Sequence, residues 1–106
     1  MRTIEEVLRP PTDAETAAAL VRFAADARRH DGPRLLDLTL FGSRARGDAG
    51  PESDADVVVI LADGAWRIID EARTLADLSY DRLIEDGLDI QSRPRPRDAP
   101  RRLSLP

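Results

Sequence analysis

Phe41-Gly42-Ser43-Arg44-Ala45-Arg46-Gly47 leads, ten residues after Ser43, into Asp54-Ala55-Asp56 and then Val57-Val58-Val59-Ile60-Leu61. A glycine turn thus precedes two alternating carboxylates at the head of an apolar run. Gly42 and Gly47 permit positive φ or close backbone approach. The turn can present backbone N–H groups and the Ser43 hydroxyl to a phosphate oxygen. Side chains on a strand repeat every two residues, so Asp54 and Asp56 share one side of the sheet at its margin. Two unpaired carboxylates so placed repel, and their hard oxygens suit a divalent cation. Alone, a Ser-Asp-x-Asp sequence reads as a turn before a strand and a Gly-Ser as a helix N-cap. In combination they point to a site for a nucleoside triphosphate and a metal. Arg44 and Arg46 read either as phosphate contacts or as solvated loop arginines.

Outward from this stretch the elements follow simple periodicities. Thr12 and Glu15 have capping-box spacing, and Ala17, Leu20, Val21, Ala24 and Ala27 recur at helical intervals until Asp31-Gly32-Pro33. Arg34 to Phe41 alternates, which predicts a strand with Leu36, Leu38 and Leu40 on its buried face and Asp37 and Thr39 on the other. Residues 42–53 read as a loop holding one helical turn at most. Asp56 to Leu61 is apolar on both faces, the pattern of an interior strand. Ile68, Ala72, Leu75, Ser79 and Leu83 then mark an amphipathic helix ending near Asp86-Gly87, and Leu88 to Gln91 a short third strand. From Arg93 the Arg-Pro-Arg-Pro-Arg run predicts an extended segment, mobile unless a partner or the domain surface orders it. The expected organisation is one domain over residues 1–92 and a Pro/Arg-rich tail over 93–106.

Composition narrows the chemistry. A chain of 106 residues with 42% hydrophobic content supports one small core, and no second substrate domain is expected. Cysteine is absent, which excludes disulfides, thiolate zinc sites and a cysteine nucleophile. Neither a signal-peptide apolar region nor a run approaching the roughly 20 apolar residues of a membrane span occurs, so a soluble, cytoplasmic protein is expected. All sixteen basic residues are arginine. The net charge of −4 divides into −8 over residues 1–92 and +4 beyond, and an acidic body is ill suited to duplex DNA. His30, Trp66 and Tyr80 read as a helix-end cation and two packing residues, and Asp37 as an arginine partner or a solvated acid.

Better-known nucleotide and metal motifs do not fit. A Walker A loop needs Lys-Ser or Lys-Thr where Asp48-Ala49 stands, no Gly-x-Gly-x-x-Gly occurs, and an EF-hand read from Asp54 lacks its ligand at Val58 and its glycine at Val59.

The Gly-Ser, ten residues, Asp-x-Asp arrangement resembles the minimal nucleotidyltransferases of the DNA polymerase β-like superfamily, over about residues 34–91. The resemblance implies an α/β (α+β) fold with a small mixed sheet flanked by helices. It implies that Gly42, Ser43, Arg44 and Arg46 bind the triphosphate of ATP. Asp54 and Asp56 are then catalytic and bind two Mg2+ ions. The family places a third carboxylate on a neighbouring strand, and Asp89, between Leu88 and Ile90, is the candidate, the other reading being an exposed edge-strand acid. The implied reaction moves a nucleoside monophosphate, AMP from ATP, to an acceptor hydroxyl. Among small members the resemblance implies an antitoxin that adenylylates a tyrosine of a HEPN-type toxin. Two alternatives stand beside it: an aminoglycoside-type enzyme with a small-molecule acceptor, and a non-catalytic module that neutralises its partner by contact.

Overall fold

The computed structural model describes Ile4 and residues 10–50 and 53–106. The helix α1 (Asp13–Asp31) starts where the sequence predicts. Thr12 Oγ1 accepts from the Glu15 backbone N–H at 3.2 Å and Glu15 Oε1 accepts from that of Thr12 at 3.0 Å, a closed capping box. Gly32, at φ 60°, ends it, and a 3-10 turn over Gly32–Arg34 feeds β1 (Leu35–Phe41). The five-residue helix α2 (Gly42–Arg46) follows without a linker. Next come β2 (Ala55–Leu61), α3 (Ile68–Asp86), β3 (Ile90–Pro96) and β4 (Leu103–Ser104).

The four strands form one mixed sheet in the order β3-β2-β1-β4. β1 is antiparallel to both β2 and β4, whereas β2 and β3 are parallel and joined through α3. The doubly apolar β2 is interior, as its sequence predicts. One face of the sheet buries Leu38, Leu40, Val57, Val59, Leu61 and Ile90 against Ala19, Leu20, Phe23, Ala24 and Ala27 of α1 and Leu75 of α3. Both long helices therefore cover the same face. The other carries Thr39, Phe41, Asp56, Val58 and Gln91, which alternate with the core residues.

Several expectations shift in register. The α1 face turns on Thr16, Ala19 and Phe23 with Leu20, Ala24 and Ala27, leaving Ala17 and Val21 exposed. Leu36 is exposed because the β1–β2 ladder slips between Leu35 and Asp37, so an extra residue breaks the alternation there. In α3 the inward row is Glu71, Leu75, Leu78 and Arg82, and Ile68, Ile69, Tyr80, Leu83 and Ile84 face outward. Tyr80 is thus no packing residue, while Trp66 packs on the core and donates its indole N–H to the Ala62 carbonyl at 2.9 Å.

Charged residues enter that inward row because each is neutralised on site. Arg34 donates to Asp31 at 2.8 Å and also to Glu71. Arg82 pairs with Asp86 and Glu85, both at 2.8 Å, and Arg22 reaches Asp86 from α1 at 2.5 Å. Burying an ion without a partner is costly, so these pairs set how α3 rotates against α1 and the sheet.

The run after Ser92 is part of the sheet and not a tail beside it. β3 extends to Pro96, Pro94 is buried, and Leu103–Ser104 adds the fourth strand on the far edge. Leu105 N–H donates to the Leu38 carbonyl at 2.7 Å, and Ser104 Oγ donates to Asp37 Oδ2 at 2.8 Å. A boundary at residue 92 would cut through a strand. No helix among the described residues is long and apolar enough to cross a membrane.

Candidate active site

The glycine turn and the acidic pair meet at one end of the β1–β2 ladder. Phe41, the last residue of β1, is in register with Asp56. Gly42 follows at φ 72°, and a Cβ there would stand 2.5 Å from Asp56 Oδ2. Glycine is required twice: for its backbone angle, and because the Asp56 carboxylate occupies the place of a side chain. Ser43 follows within the first turn of α2, whose N-cap, Phe41, offers no side-chain acceptor. The leading N–H groups of a helix lack partners within it, so they and the Ser43 hydroxyl are the donors this turn offers a phosphate.

Gly47, at φ 82°, closes α2, and its N–H donates to the Ser43 carbonyl. Arg44 turns back across the loop, its Nε and Nη2 donating to the Ser53 carbonyl at 3.0 and 2.6 Å. That contact anchors the residue before Asp54, so Arg44 positions the acidic pair. Arg46 lies at the surface, 3.3 Å from Asp48, in an exposed pair of the kind that contributes little. A hollow of about 310 Å³ lies where α1 meets the turn, lined by Thr16, Ala17, Leu20, Arg44 and Gly47.

Asp54 and Asp56 are exposed. Neither side chain makes a hydrogen bond or ion pair with another described residue, in a chain holding sixteen arginines. Two hard-oxygen donors left without a basic partner, against a glycine that leaves room beside one of them, fit Mg2+. Asp89 lies immediately before β3, which begins at Ile90 and not at Leu88 as the sequence predicts. Ala55 N–H donates to the Asp89 carbonyl at 2.9 Å, and the ladder continues with Asp56 beside Gln91. Alternation along β3 sets Asp89 on the side of Gln91 and hence of Asp56. Its Oδ1 accepts from Gln91 Nε2 at 2.9 Å, a contact with no signal in the sequence.

The only trio of His, Asp and Glu ligand atoms lying within 4.8 Å of one another among the described residues is elsewhere: His30, Asp31 and Glu71. Asp54, Asp56 and Asp89 are on adjacent backbone positions but do not draw in that closely. The His30 cluster sits at the opposite end of the sheet, where Leu35 pairs with Leu61, and Arg34 already provides its cation. It is a structural ion cluster, and His30 keeps a half-exposed place at the end of α1.

A mixed sheet with helices on one face and a Gly-Ser turn seated on an Asp-x-Asp strand defines a nucleotide-transferring domain. The family model for the nucleotidyltransferase domain matches residues 21–98, and the chain belongs to that family. It is 34% identical over 71 residues to a protein of Methanocaldococcus jannaschii named as a candidate protein adenylyltransferase. That match takes in 67% of this chain and spans about half, 48%, of the relative's length. A crystal structure of a candidate nucleotidyltransferase from Sulfolobus solfataricus superposes with a TM-score of 0.49 at 21% identity, covering 77% of this chain and 73% of the other.

Proposed function

We propose that this nucleotidyltransferase domain is an Mg2+-dependent adenylyltransferase that transfers AMP from ATP to the hydroxyl of a protein, a tyrosine of a HEPN-type toxin, and so acts as an antitoxin. One observation carries the catalytic half of this reading. The two acids of the Asp-x-Asp pair are exposed and unpaired, and one of them packs directly on the glycine of the phosphate turn. The M. jannaschii relative's name supports a protein acceptor.

In this reading Asp54 and Asp56 hold the metal, with Asp89 as third ligand. Bound there, Mg2+ neutralises phosphate charge and acidifies the acceptor hydroxyl. Gly42 and Ser43 hold the triphosphate by N–H and O–H donation. The acceptor oxygen bonds to the α-phosphorus, the bond from that phosphorus to the α–β bridging oxygen breaks, and pyrophosphate leaves with the electron pair. In this reading Asp89 takes the acceptor proton or passes it to water.

The test incubates purified protein, α-labelled ATP and Mg2+ with a purified HEPN-type ribonuclease. Label on a toxin tyrosine, lost in Asp54→Asn with Asp56→Asn, is expected. Label transfer that survives the double substitution would sink the mechanism. Label on an aminoglycoside and not on protein would replace the acceptor. Neutralisation of the toxin by the double variant would establish the contact-only module, whose sequence support, a free arginine-rich tail, is weakened by the place of residues 93–96 in the sheet.

A further inference from the structure

β3 alternates two chemistries. Pro94 is buried toward the core, while Gln91, Arg93 and Arg95 are exposed and in register with Asp56, Val58 and Ile60 of β2. All three therefore run along the side of the sheet that carries Asp56. They line a cleft of about 300 Å³ together with Phe41, Asp56 and Val58. Arg97 and Arg101 reach Asp63 and Asp37, but the side chain of neither Arg93 nor Arg95 makes a hydrogen bond or ion pair with another described residue. Two guanidinium groups in a cleft with a candidate catalytic acid, left unpaired by a chain with twenty acids, are free for an outside anion.

Three features define that anion. First, β3 is an edge strand, yet Pro94 and Pro96 have no N–H to offer, so a partner strand cannot extend the sheet there and a ligand must lie on the face. Second, the domain's net charge of −4 opposes a long polyanion, and of the aromatic residues only Phe41 lines the cleft, too few to stack successive bases. Third, Arg93 and Arg95 lie about 7 and 13 Å along the strand from Gln91, the repeat of an extended chain.

We infer that this cleft docks the acceptor as an extended acidic polypeptide segment, with its hydroxyl at Asp56 and carboxylates two and four residues to one side paired with Arg93 and Arg95. The inference rests on the reading of Asp56 as the reaction centre and adds the sequence character of the acceptor.

The test is fluorescence anisotropy with two synthetic labelled peptides of equal length, each bearing one tyrosine, with Glu in one and Gln in the other at the positions two and four residues away. The Glu peptide is expected to bind about tenfold tighter at low salt, the sum of two surface ion pairs, and to lose the advantage at high salt. Arg93→Gln with Arg95→Gln should abolish the preference, and Arg93→Glu with Arg95→Glu should shift it to a Lys peptide. Equal affinity for the Glu and Gln peptides, or a preference that survives charge reversal, overturns the inference. So does a collapse of ATP affinity in the reversed variant with peptide affinity intact, since the arginines would then hold the triphosphate. If wild type keeps the peptide preference yet transfers no label to any acceptor, the transferase reading fails and the docking site stands.

Discussion

The Asp56 carboxylate fills the space where any residue other than glycine at position 42 would place its Cβ, which would stand 2.5 Å from Oδ2. The two halves of the sequence motif are thus one packing unit. The ten-residue spacing between Ser43 and Asp54 is the length of chain that α2 and its return loop need to bring the next strand back beside β1.

Gly42→Ala should disturb stability and chemistry together. Alanine at φ 72° costs about 1–2 kcal/mol, and the displaced Asp56 side chain adds to it. A fall in melting temperature of about 5–10 °C is expected in a domain of this size, with label transfer reduced by at least about a hundredfold. Gly64→Ala is the control, because a Cβ there meets nothing within 4 Å.

Asp54→Asn and Asp56→Asn should separate the two properties. Both side chains are exposed and unpaired, so each substitution should leave the melting temperature unchanged or slightly raised, as like charges are relieved. Mg2+-dependent stabilisation by ATP, read as a thermal shift, should vanish, and activity should fall by about a hundredfold or more. A large loss of stability would mean that the pair serves the fold.

Arg34→Met should destabilise without touching the site. It leaves the buried carboxylates of Asp31 and Glu71 facing each other, each already with one buried oxygen that lacks a partner. A cost of about 2–4 kcal/mol is expected, below the range for a fully buried pair because the guanidinium is partly exposed. Adding Glu71→Gln should recover part of it. Chemical denaturation of the single and double variants measures both.

Truncation after Ser92 should abolish cooperative unfolding. It removes four residues of β3, including the buried Pro94, and all of β4, leaving β2 unpaired over most of its length on one side. A truncated chain with a native melting transition would restore residues 93–106 to the status of a tail.

Much of this was legible beforehand because it is local. The capping box of Thr12 and Glu15, the stop at Gly32-Pro33, the interior character of β2 and the Gly-Ser to Asp-x-Asp spacing depend on residues close in sequence. Periodicity failed where a distant partner changes the sign of a residue's preference. Glu71 and Arg82 lie outside the apolar row predicted for α3, yet Arg34, Asp26, Asp86 and Glu85 neutralise them, and their burial turns Ile68 and Leu83 outward. The Arg-Pro repeat read as an extended segment, mobile unless a partner or the domain surface orders it; the sheet edge orders it, where proline's missing N–H harms nothing.

By itself, then, the sequence determined which residues are candidates to bind phosphate and metal, since that follows from side-chain chemistry and short-range spacing. Only the tertiary structure decided that Asp56 rests on Gly42, that Asp89 comes alongside through a parallel pairing across α3, that Arg44 braces Ser53, and that Arg93 and Arg95 line one cleft with Asp56. Those relations depend on register between strands, which is set by the packing of the whole core and not by any one segment.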